Sequence, residues 1–168
     1  MDPRYPTGRF SFDAAPTPAR RAECIAAIGS FPAEMRTAAA ALSADQLETP
    51  YREGGWTARQ VIHHVADSHM NAYIRFKLTL TEEAPPLKPY EESIWAELVD
   101  GKTGDPSISL GILDGVHHRL HRLLTTLEPA HFARTAHHPQ HGPVTLDWLL
   151  QLYAWHGRHH IGHIRLIQ

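Results

Sequence analysis

Histidine is the residue type that stands out in this sequence. The chain has 168 residues, and its 14 histidines nearly equal its 16 lysines and arginines together. Imidazole is the commonest protein ligand for transition metals, and its ordinary pKa lies close to neutral pH. Metal binding and proton transfer are therefore the chemistries to consider first, and the spacing of the histidines decides which of them can act together.

His156 and His160 are spaced i, i+4 in a segment with helical periodicity. At about 100° per residue they share a sector with the apolar residues of that segment, which are Leu149, Tyr153, Ile164 and Ile167. The Cβ atoms of such a pair lie ~5–6 Å apart, so both imidazoles can bind one ion at ~2.0–2.1 Å. The pair is predicted to bind a metal in the core, with His163 on the same face and His159 at its edge.

A third ligand is expected from an earlier helix that carries two adjacent histidines. Neighbours on a helix diverge by about 100°, so His63 and His64 cannot both face inward. The apolar face favours His64 and leaves His63 on the opposite side, but His69 also lies within this face and stays an alternative. Asp67 follows His64 by three residues, where a carboxylate can orient the imidazole or accept a proton. Several imidazoles in one core are costly to desolvate, and a shared ion would satisfy them together.

The remaining histidines give weaker signals. Three lie in a connection broken by proline and glycine and are predicted to be exposed, namely His137, His138 and His141. Three more lie on one predicted helix, where at most one faces the core, namely His117, His118 and His121. The single cysteine, Cys24, has no neighbour in the sequence that would lower its pKa, so it is predicted to be a small buried hydrophobe.

Four long helical segments would position these residues. The first, 19–42, carries Gly29 and Pro32 and is predicted to kink or split there. The others are 57–81, capped by Thr57, then 107–127, preceded by Asp105 and Pro106, and 145–167, capped by Thr145. The connections are 43–55, 101–106 and 128–142, and 91–100 is expected to form a short helical piece. No convincing strand is indicated, apart from a short extended piece allowed just before Thr145. The predicted fold is an all-α four-helix bundle with short additional helices and an extended arm over 1–18, in a single domain over 1–168.

Charge and hydropathy exclude several classes of function. The formal net charge of −2 gives no electrostatic surface for nucleic acid or for an anionic membrane. No stretch approaches the roughly 18 apolar residues of a membrane span, and the lone cysteine requires no oxidising compartment. The expectation from the sequence is a soluble cytoplasmic protein that binds neither nucleic acid nor membrane.

Several motifs carry a resemblance to a known family. They are the segments 51–57 (YREGGWT), 63–69 (HHVADSH), 75–77 (RFK), 155–156 (WH) and 159–163 (HHIGH). Together they resemble the YfiT branch of the DinB-like superfamily, from about Leu42 to the end of the chain. The resemblance implies a four-helix bundle, usually a homodimer, that binds one divalent ion, Zn or Ni. Carried over by motif, the ligands are His64, His156 and His160, in agreement with the helical periodicity.

Three protein ligands leave a coordination position open, which is typical of catalytic sites. The branch is commonly described as metal-dependent hydrolases, in which the ion activates water. Related DinB-like proteins transfer bacillithiol or mycothiol to a small-molecule electrophile, so the thiol is then a co-substrate. The transferase is favoured here because Asp67 is the sole motif-borne general base that hydrolysis would use. Arg75, Lys77 and Arg158 are candidate anchors for the carboxylates of a thiol.

A non-catalytic metal-binding module is the third hypothesis. It predicts a saturated site in which His69 or His163 supplies a fourth ligand, so that no position remains open for a substrate. The number of protein ligands at the centre therefore separates it from both enzymes.

Overall fold

Four long helices frame the structure, a computed structural model that describes residues 2–168. They are α1 (Pro18–Ala40), α3 (Ala58–Thr81), α6 (Pro106–Leu124) and α7 (Leu146–Arg165), and the short helices are α2 (Ala44–Leu47), α4 (Glu92–Trp95) and α5 (Val99–Thr103). Both α1 and α3 pack against α6 and α7, which confirms the predicted four-helix bundle. Within the described residues, no helix has the length and apolar character of a membrane span. Met1, the first residue of the predicted arm, lies outside the described residues.

Three long helices begin at the residues that the sequence indicates. Thr57 caps α3: its hydroxyl accepts a hydrogen bond from the Gln60 amide, and the Gln60 side chain accepts one from the Thr57 amide. Asp105 caps α6 ahead of Pro106, and Thr145 caps α7. Because the starts of α3 and α7 are fixed in this way, the rotational position of every histidine on them is fixed too.

The first helix departs from the prediction at Pro32. The sequence predicts a kink or a split there, but α1 runs as one helix from Pro18 to Ala40 with Pro32 buried inside it. Proline removes the amide that would bond to the Ile28 carbonyl. That carbonyl instead accepts a hydrogen bond from His117 Nδ1 at 2.7 Å. A side chain from α6 therefore replaces the missing backbone donor, and packing on two neighbouring helices keeps α1 continuous.

Short elements occupy the predicted connections. Helix α2 lies within 43–55, and α5 reaches Thr103, so it extends into the break predicted at 101–106. Between α6 and α7 the chain forms a 3₁₀ helix (Pro129–Ala133) and the strands β1 (Thr135–His138) and β2 (Gly142–Thr145). The strands form an antiparallel hairpin in which His138 lies opposite Gly142, whose φ of 69° suits glycine. The sequence indicates a short extended piece before Thr145, where β2 lies, but it indicates neither β1 nor the pairing of the two strands.

The N-terminal arm packs along α7. Phe10 contacts Trp148 and Trp155, with ring centroids 5.7 and 5.8 Å apart respectively. The Asp13 amide donates to Gln151 Oε1 at 3.0 Å. The arm over 2–17 forms no helix or strand but contains two turns, closed by the Tyr5 amide on the Asp2 carbonyl and by the Gly8 amide on the Tyr5 carbonyl. The predicted extended arm is therefore interrupted by turns, and its contacts with α7 make it part of the folded surface.

A layer of histidines separates two apolar clusters inside the bundle. One cluster contains Cys24, Ile28, Phe76, Leu120 and Leu149, and the other contains Met35, Val61, Leu113, Ile161 and Ile164. His69, His117 and His156 fall between these groups along α3, α6 and α7 respectively. Burial raises the pKa of the Cys24 thiol, which confirms its predicted role as a small buried hydrophobe.

Gly157 lets α7 approach the Phe31 side chain of α1. A Cβ at this position would lie 2.7 Å from Phe31 Cδ2, so we expect Gly157→Ala to lower the free energy of unfolding by about 1–3 kcal/mol through overpacking. Gly115 on α6 has open space around its Cα, so Gly115→Ala should raise the same quantity by up to about 1 kcal/mol through helix propensity. Chemical denaturation of both variants measures the difference, and equal stabilities would contradict the packing argument.

Candidate metal centre

Three histidines from two helices converge at one place in the bundle. His64 projects from α3 and His156 and His160 project from α7, with one ring nitrogen of each within 4.8 Å of the other two. The Nε2 atoms of His156 and His160 are 3.2 Å apart. Among residues 2–168, one group of three or more His, Cys, Asp or Glu side chains has donor atoms this close together, and it is this group. The structure thus brings together the three residues named as ligands by periodicity and by resemblance.

The donor set fits a divalent transition metal. Two nitrogens bound to one ion at ~2.0–2.1 Å lie at most ~4.2 Å apart, so small ring rotations would bring all three onto an ion. His64 is 3% exposed, and burial is the main cause that lowers its pKa. A buried imidazole is costly to desolvate, and a shared cation would offset that cost. Imidazole nitrogen suits both Zn and Ni.

Burial keeps the three imidazoles neutral. It lowers the pKa of His64 to about 4, and it lowers the pKa values of His156 and His160 well below the ordinary 6.5. A neutral imidazole offers the lone pair that a metal requires. At neutral pH the cluster can therefore bind an ion without first losing protons.

His69, the alternative ligand, lies behind the cluster. Its Nε2 atom is 3.0 Å from His156 Nδ1, and its Nδ1 atom is 2.7 Å from His117 Nε2. Both of its ring nitrogens are therefore engaged by other imidazoles. His163 is adjacent as well, with its Nδ1 atom 3.2 Å from His160 Nδ1. Neither His69 nor His163 belongs to the three-membered cluster.

Two cavities reach this centre. The first, of about 440 Å³, is lined by all three clustered histidines, by Arg4 of the arm and by Arg52. Aromatic side chains also line it, among them Tyr51, Trp56 and Trp155. The second, of about 400 Å³, is lined by Arg75, Tyr153 and the His138–His141 end of the hairpin. His156 and Glu92 line both cavities, so the two meet beside one candidate ligand.

Sequence reasoning missed four charged residues of these cavities, namely Arg4, Arg52, Glu91 and Glu92. Arg52 lies inside the motif 51–57, and that position was the available signal for it. Arg4 belongs to the arm and Glu92 to the short helix α4, where no periodicity indicates which side chain faces the centre. Their positions follow from long-range packing of the arm and of the loop after α3.

The other predicted site residues occupy different places. Asp67 is half-buried, and its burial together with the nearby Asp100 raises its pKa to about 6, but it lines neither cavity. Arg75 lines the second cavity, where it donates a hydrogen bond to the Tyr153 hydroxyl at 2.9 Å. Arg158 is exposed and lines neither cavity. The structure does not bring Arg158 together with the histidines, and the functional roles suggested for all three stay predictions.

His63 projects away from His64, as the helical geometry requires, yet it is buried. Its Nδ1 atom is 2.7 Å from Ser109 Oγ, and its Nε2 atom is 3.1 Å from the Gly104 carbonyl oxygen. The α5–α6 region covers this side of α3. His63 is therefore a hydrogen-bonded core residue rather than a solvent-facing one.

The hairpin corrects the prediction for one loop histidine. His138 is 8% exposed and packs near Trp148, with ring centroids 5.5 Å apart, so its predicted exposure is wrong. His137 and His141 are exposed, as predicted. Alternation along β1 buries every second side chain, and the sequence did not reveal the strand. On α6, His117 is the single histidine of its group that is buried.

Fold and site together define a class of protein. It is a four-helix bundle whose facing helices carry a cluster of three histidines suited to one metal ion. The sequence model of the DinB superfamily matches residues 28–164. The chain belongs to the DinB superfamily.

Relatives within the superfamily confirm the resemblance to its YfiT branch. A protein of Bacillus mycoides strain KBAB4 is 50% identical over 163 residues, covering 97% of this chain and 94% of that protein. YfiT of Bacillus subtilis strain 168 is 47% identical over 161 residues, covering 95% and 90% respectively. Both are named as candidate metal-dependent hydrolases. A solved structure of YfiT from Bacillus subtilis matches with a TM-score of 0.96 at 45% identity, covers 99% of this chain and 96% of its own, and is described as having an unusual four-helix bundle topology.

Proposed function

We propose that this protein is a metal-dependent enzyme that transfers a small thiol of the bacillithiol type to electrophilic small molecules. The observation that carries the proposal is the cluster of three histidines open to a cavity. Three protein ligands leave room for a substrate at the ion, in contrast to a closed structural site. A Zn or Ni ion bound there would lower the pKa of a neighbouring thiol and so supply a nucleophile at neutral pH.

The pair of cavities supports transfer over hydrolysis. A transferase binds two substrates beside the same reacting atom, whereas hydrolysis uses one substrate and water. The cavities of about 440 and 400 Å³ share His156 and Glu92, so one can hold the thiol and the other the electrophile. Asp67, the general base expected from the sequence, lines neither.

The surrounding side chains orient the two substrates. Aromatic rings of Tyr51, Trp56 and Trp155 line the first cavity and limit the water around the sulfur. The proton of the thiol leaves toward Glu92 or solvent at the junction of the cavities. The sulfur then bonds to the electrophilic carbon, and the leaving group departs with its electron pair toward the second cavity.

Two arginines line the first cavity, and one of them, Arg52, favours an anionic thiol there. Arg4 already pairs with Asp2 at 2.9 Å, whereas Arg52 has no carboxylate partner within the described chain. The Arg52 guanidinium donates one hydrogen bond from Nη1 to the Glu53 carbonyl oxygen at 2.8 Å, while its buried Nε atom has no hydrogen-bond partner. A guanidinium in this state suits a substrate carboxylate, which it can bind through charge-assisted hydrogen bonds. Arg52 therefore replaces Arg158 as the proposed anchor for the carboxylate of the thiol. Arg75 is proposed to bind an anionic group of the substrate in the second cavity.

Loss of the Arg52 anchor should weaken thiol binding. We expect Arg52→Ala to raise KM for a thiol with carboxylates by about tenfold, the effect of one charge-assisted hydrogen bond, while kcat changes little. Arg165→Ala, at the exposed end of α7, is the matched control and should leave both constants unchanged. Steady-state kinetics with bacillithiol and with the uncharged thiol 2-mercaptoethanol measures the difference. An equal rise in KM for both thiols would argue against a carboxylate anchor.

Conjugation of a fluorogenic electrophile tests the function itself. Protein loaded with Zn or Ni is incubated with bacillithiol and monochlorobimane, and we expect conjugation about tenfold or more above that of metal-free protein. The same protein is incubated with nitrophenyl esters in the absence of thiol. Turnover of esters without thiol, together with no accelerated conjugation, would reject the transferase in favour of the hydrolase.

Metal-dependent hydrolysis is the second candidate function. Glu92 favours it, because a carboxylate that lines both cavities beside His156 can serve as the general base for an attacking water. The names of the relatives from Bacillus point to the same activity. A non-catalytic metal-binding module would need a fourth protein ligand, and His69 and His163 lie outside the cluster. The homodimer expected from the resemblance stays a prediction.

A further inference from the structure

We infer that His69 and His117 are positioning residues of the metal centre. A directed chain of hydrogen bonds runs from the Ile28 carbonyl through both imidazoles to His156, and it fixes the proton of His156 on Nδ1 so that Nε2 faces the ion. The functional meaning of this chain rests on the proposed metal centre. The hydrogen-bond chain is present in the metal-free protein, and its proton positions can be measured there.

The chain begins at a carbonyl that Pro32 leaves without its helical partner. In a regular helix the amide of residue 32 would bond to the carbonyl of Ile28, and proline has no amide hydrogen to donate. His117 Nδ1 lies 2.7 Å from that carbonyl oxygen. A carbonyl oxygen only accepts, so the hydrogen of this bond must be on His117 Nδ1.

The remaining protons follow from this first one. A neutral imidazole has one N–H and one lone pair, so His117 Nε2 is an acceptor. It accepts from His69 Nδ1 at 2.7 Å, which makes His69 Nε2 an acceptor in turn. His69 Nε2 accepts from His156 Nδ1 at 3.0 Å. His156 Nε2 is left with its lone pair, and this is the atom that lies 3.2 Å from His160 Nε2 in the cluster.

Burial enforces the neutral form on which this order depends. His69 and His117 are each 1% exposed, and the hydrogen-bond partners of both rings are imidazole nitrogens and one carbonyl oxygen. A charged ring there would be a buried charge without a carboxylate partner, which is strongly unfavourable. Phe31 stacks on His69 with ring centroids 5.0 Å apart and restricts the ring from turning over. One arrangement of protons therefore satisfies the whole chain.

The hydrogen-bond chain connects all four long helices. Ile28 lies on α1, His117 on α6, His69 on α3 and His156 on α7. Partners behind a ligand histidine select its tautomer and its ring orientation, and their loss typically costs about 10–100-fold in metal affinity. The packing of the whole bundle is thereby coupled to one coordinating atom.

Substitutions at His69 separate hydrogen bonding from packing. Leucine fills a similar volume but neither donates nor accepts, whereas glutamine can donate to His117 and accept from His156. His63→Gln is the matched control, because His63 is a buried histidine of the same helix that bonds to Ser109 and lies outside the chain. Pro32→Ala restores an amide that competes for the Ile28 carbonyl and tests the start of the chain.

Two measurements test the inference, the tautomer of His156 by ¹⁵N NMR and the affinity for zinc by chelator competition. We expect the Nδ1–H tautomer in metal-free wild type. We expect His69→Leu to mix the tautomers and to lower zinc affinity about 10–100-fold, with recovery of most of this loss in His69→Gln and no change in His63→Gln. Pro32→Ala should populate the second tautomer of His117.

Two results would overturn the inference. One is the Nε2–H tautomer of His156 in metal-free wild type, a measurement that needs no variant to fold. The other is the same zinc affinity in His69→Leu as in His63→Gln. If wild type showed the expected tautomers but bound no zinc, the hydrogen-bond chain would be supported and the proposed metal centre would fail.

Discussion

Alanine at His64 or at His160 is expected to leave the purified protein without bound metal. Each substitution removes one of three ligand nitrogens that lie within 4.8 Å of one another on α3 and α7. Loss of a partner behind a ligand already costs about 10–100-fold in affinity, so loss of a ligand itself should exceed about 100-fold. Elemental analysis after dialysis measures the content, with one equivalent expected in wild type and close to none in either variant.

A matched control separates loss of a ligand from loss of a histidine in general. His118 lies on α6 with its side chain exposed, so His118→Ala should keep one equivalent of metal. Circular dichroism establishes that each variant keeps its helices. Full metal content in both His64→Ala and His160→Ala would show that the ion binds elsewhere, and both enzymatic proposals would then lose their site.

The ligand set could be predicted because it depends on local features of the chain. The caps at Thr57 and Thr145 fix where α3 and α7 begin, and the i, i+4 spacing of His156 and His160 then fixes their common face. Only the choice between His64 and His69 needed more than periodicity, since both lie on the inner face of α3. The resemblance selected His64, and the structure places His69 one hydrogen bond behind the cluster.

Long-range contacts account for what the sequence could not predict. Pro32 predicts an interrupted helix when read locally, but its effect is to free a carbonyl for His117, which lies 89 residues from Ile28. The arm brings Arg4 to the cavity only because it packs on α7. The burial of His138 depends on the pairing of β1 with β2, and the sequence indicates only the extended piece before Thr145. In each case the partner is distant in the chain, so propensity and periodicity carry no information about it.

Metal-free protein is expected to lose stability steeply as the pH falls from 6.5 toward 4. Burial lowers the pKa of five histidines from 6.5 to about 4, namely His64, His117, His138, His159 and His163. Between these values the unfolded chain binds protons that the folded protein does not, so the free energy of unfolding falls as the pH falls. His69, His156 and His160 have pKa values lowered in the same direction.

Two carboxyls act in the opposite direction, since burial raises the pKa values of both Glu92 and Asp67. Burial, reinforced by Asp100, raises the pKa of Asp67 from 3.8 to about 6, so the folded protein holds this proton where the unfolded chain has lost it. Its contribution to stability is present below pH 3.8 and is lost as the pH rises through about 6. Five histidines with lowered pKa values outnumber the two carboxyls with raised ones, so the net effect of acid is destabilising. Since whole domains are stable by only about 5–15 kcal/mol, metal-free protein should lose a large part of its stability within this pH window.

Denaturant unfolding of the metal-free protein at several pH values between 7.5 and 4 measures this dependence. His138→Gln removes one buried histidine away from the metal centre and should reduce the slope by one proton, whereas His118→Gln, at an exposed position, should leave it unchanged. Added zinc should shift the transition to lower pH, because protons must displace the ion before they can bind the ligand nitrogens. A free energy of unfolding that stays constant from pH 7.5 to 5 would contradict the neutral, buried state of these imidazoles. A constant free energy of unfolding would also remove the physical reason for expecting the buried imidazoles to share a cation.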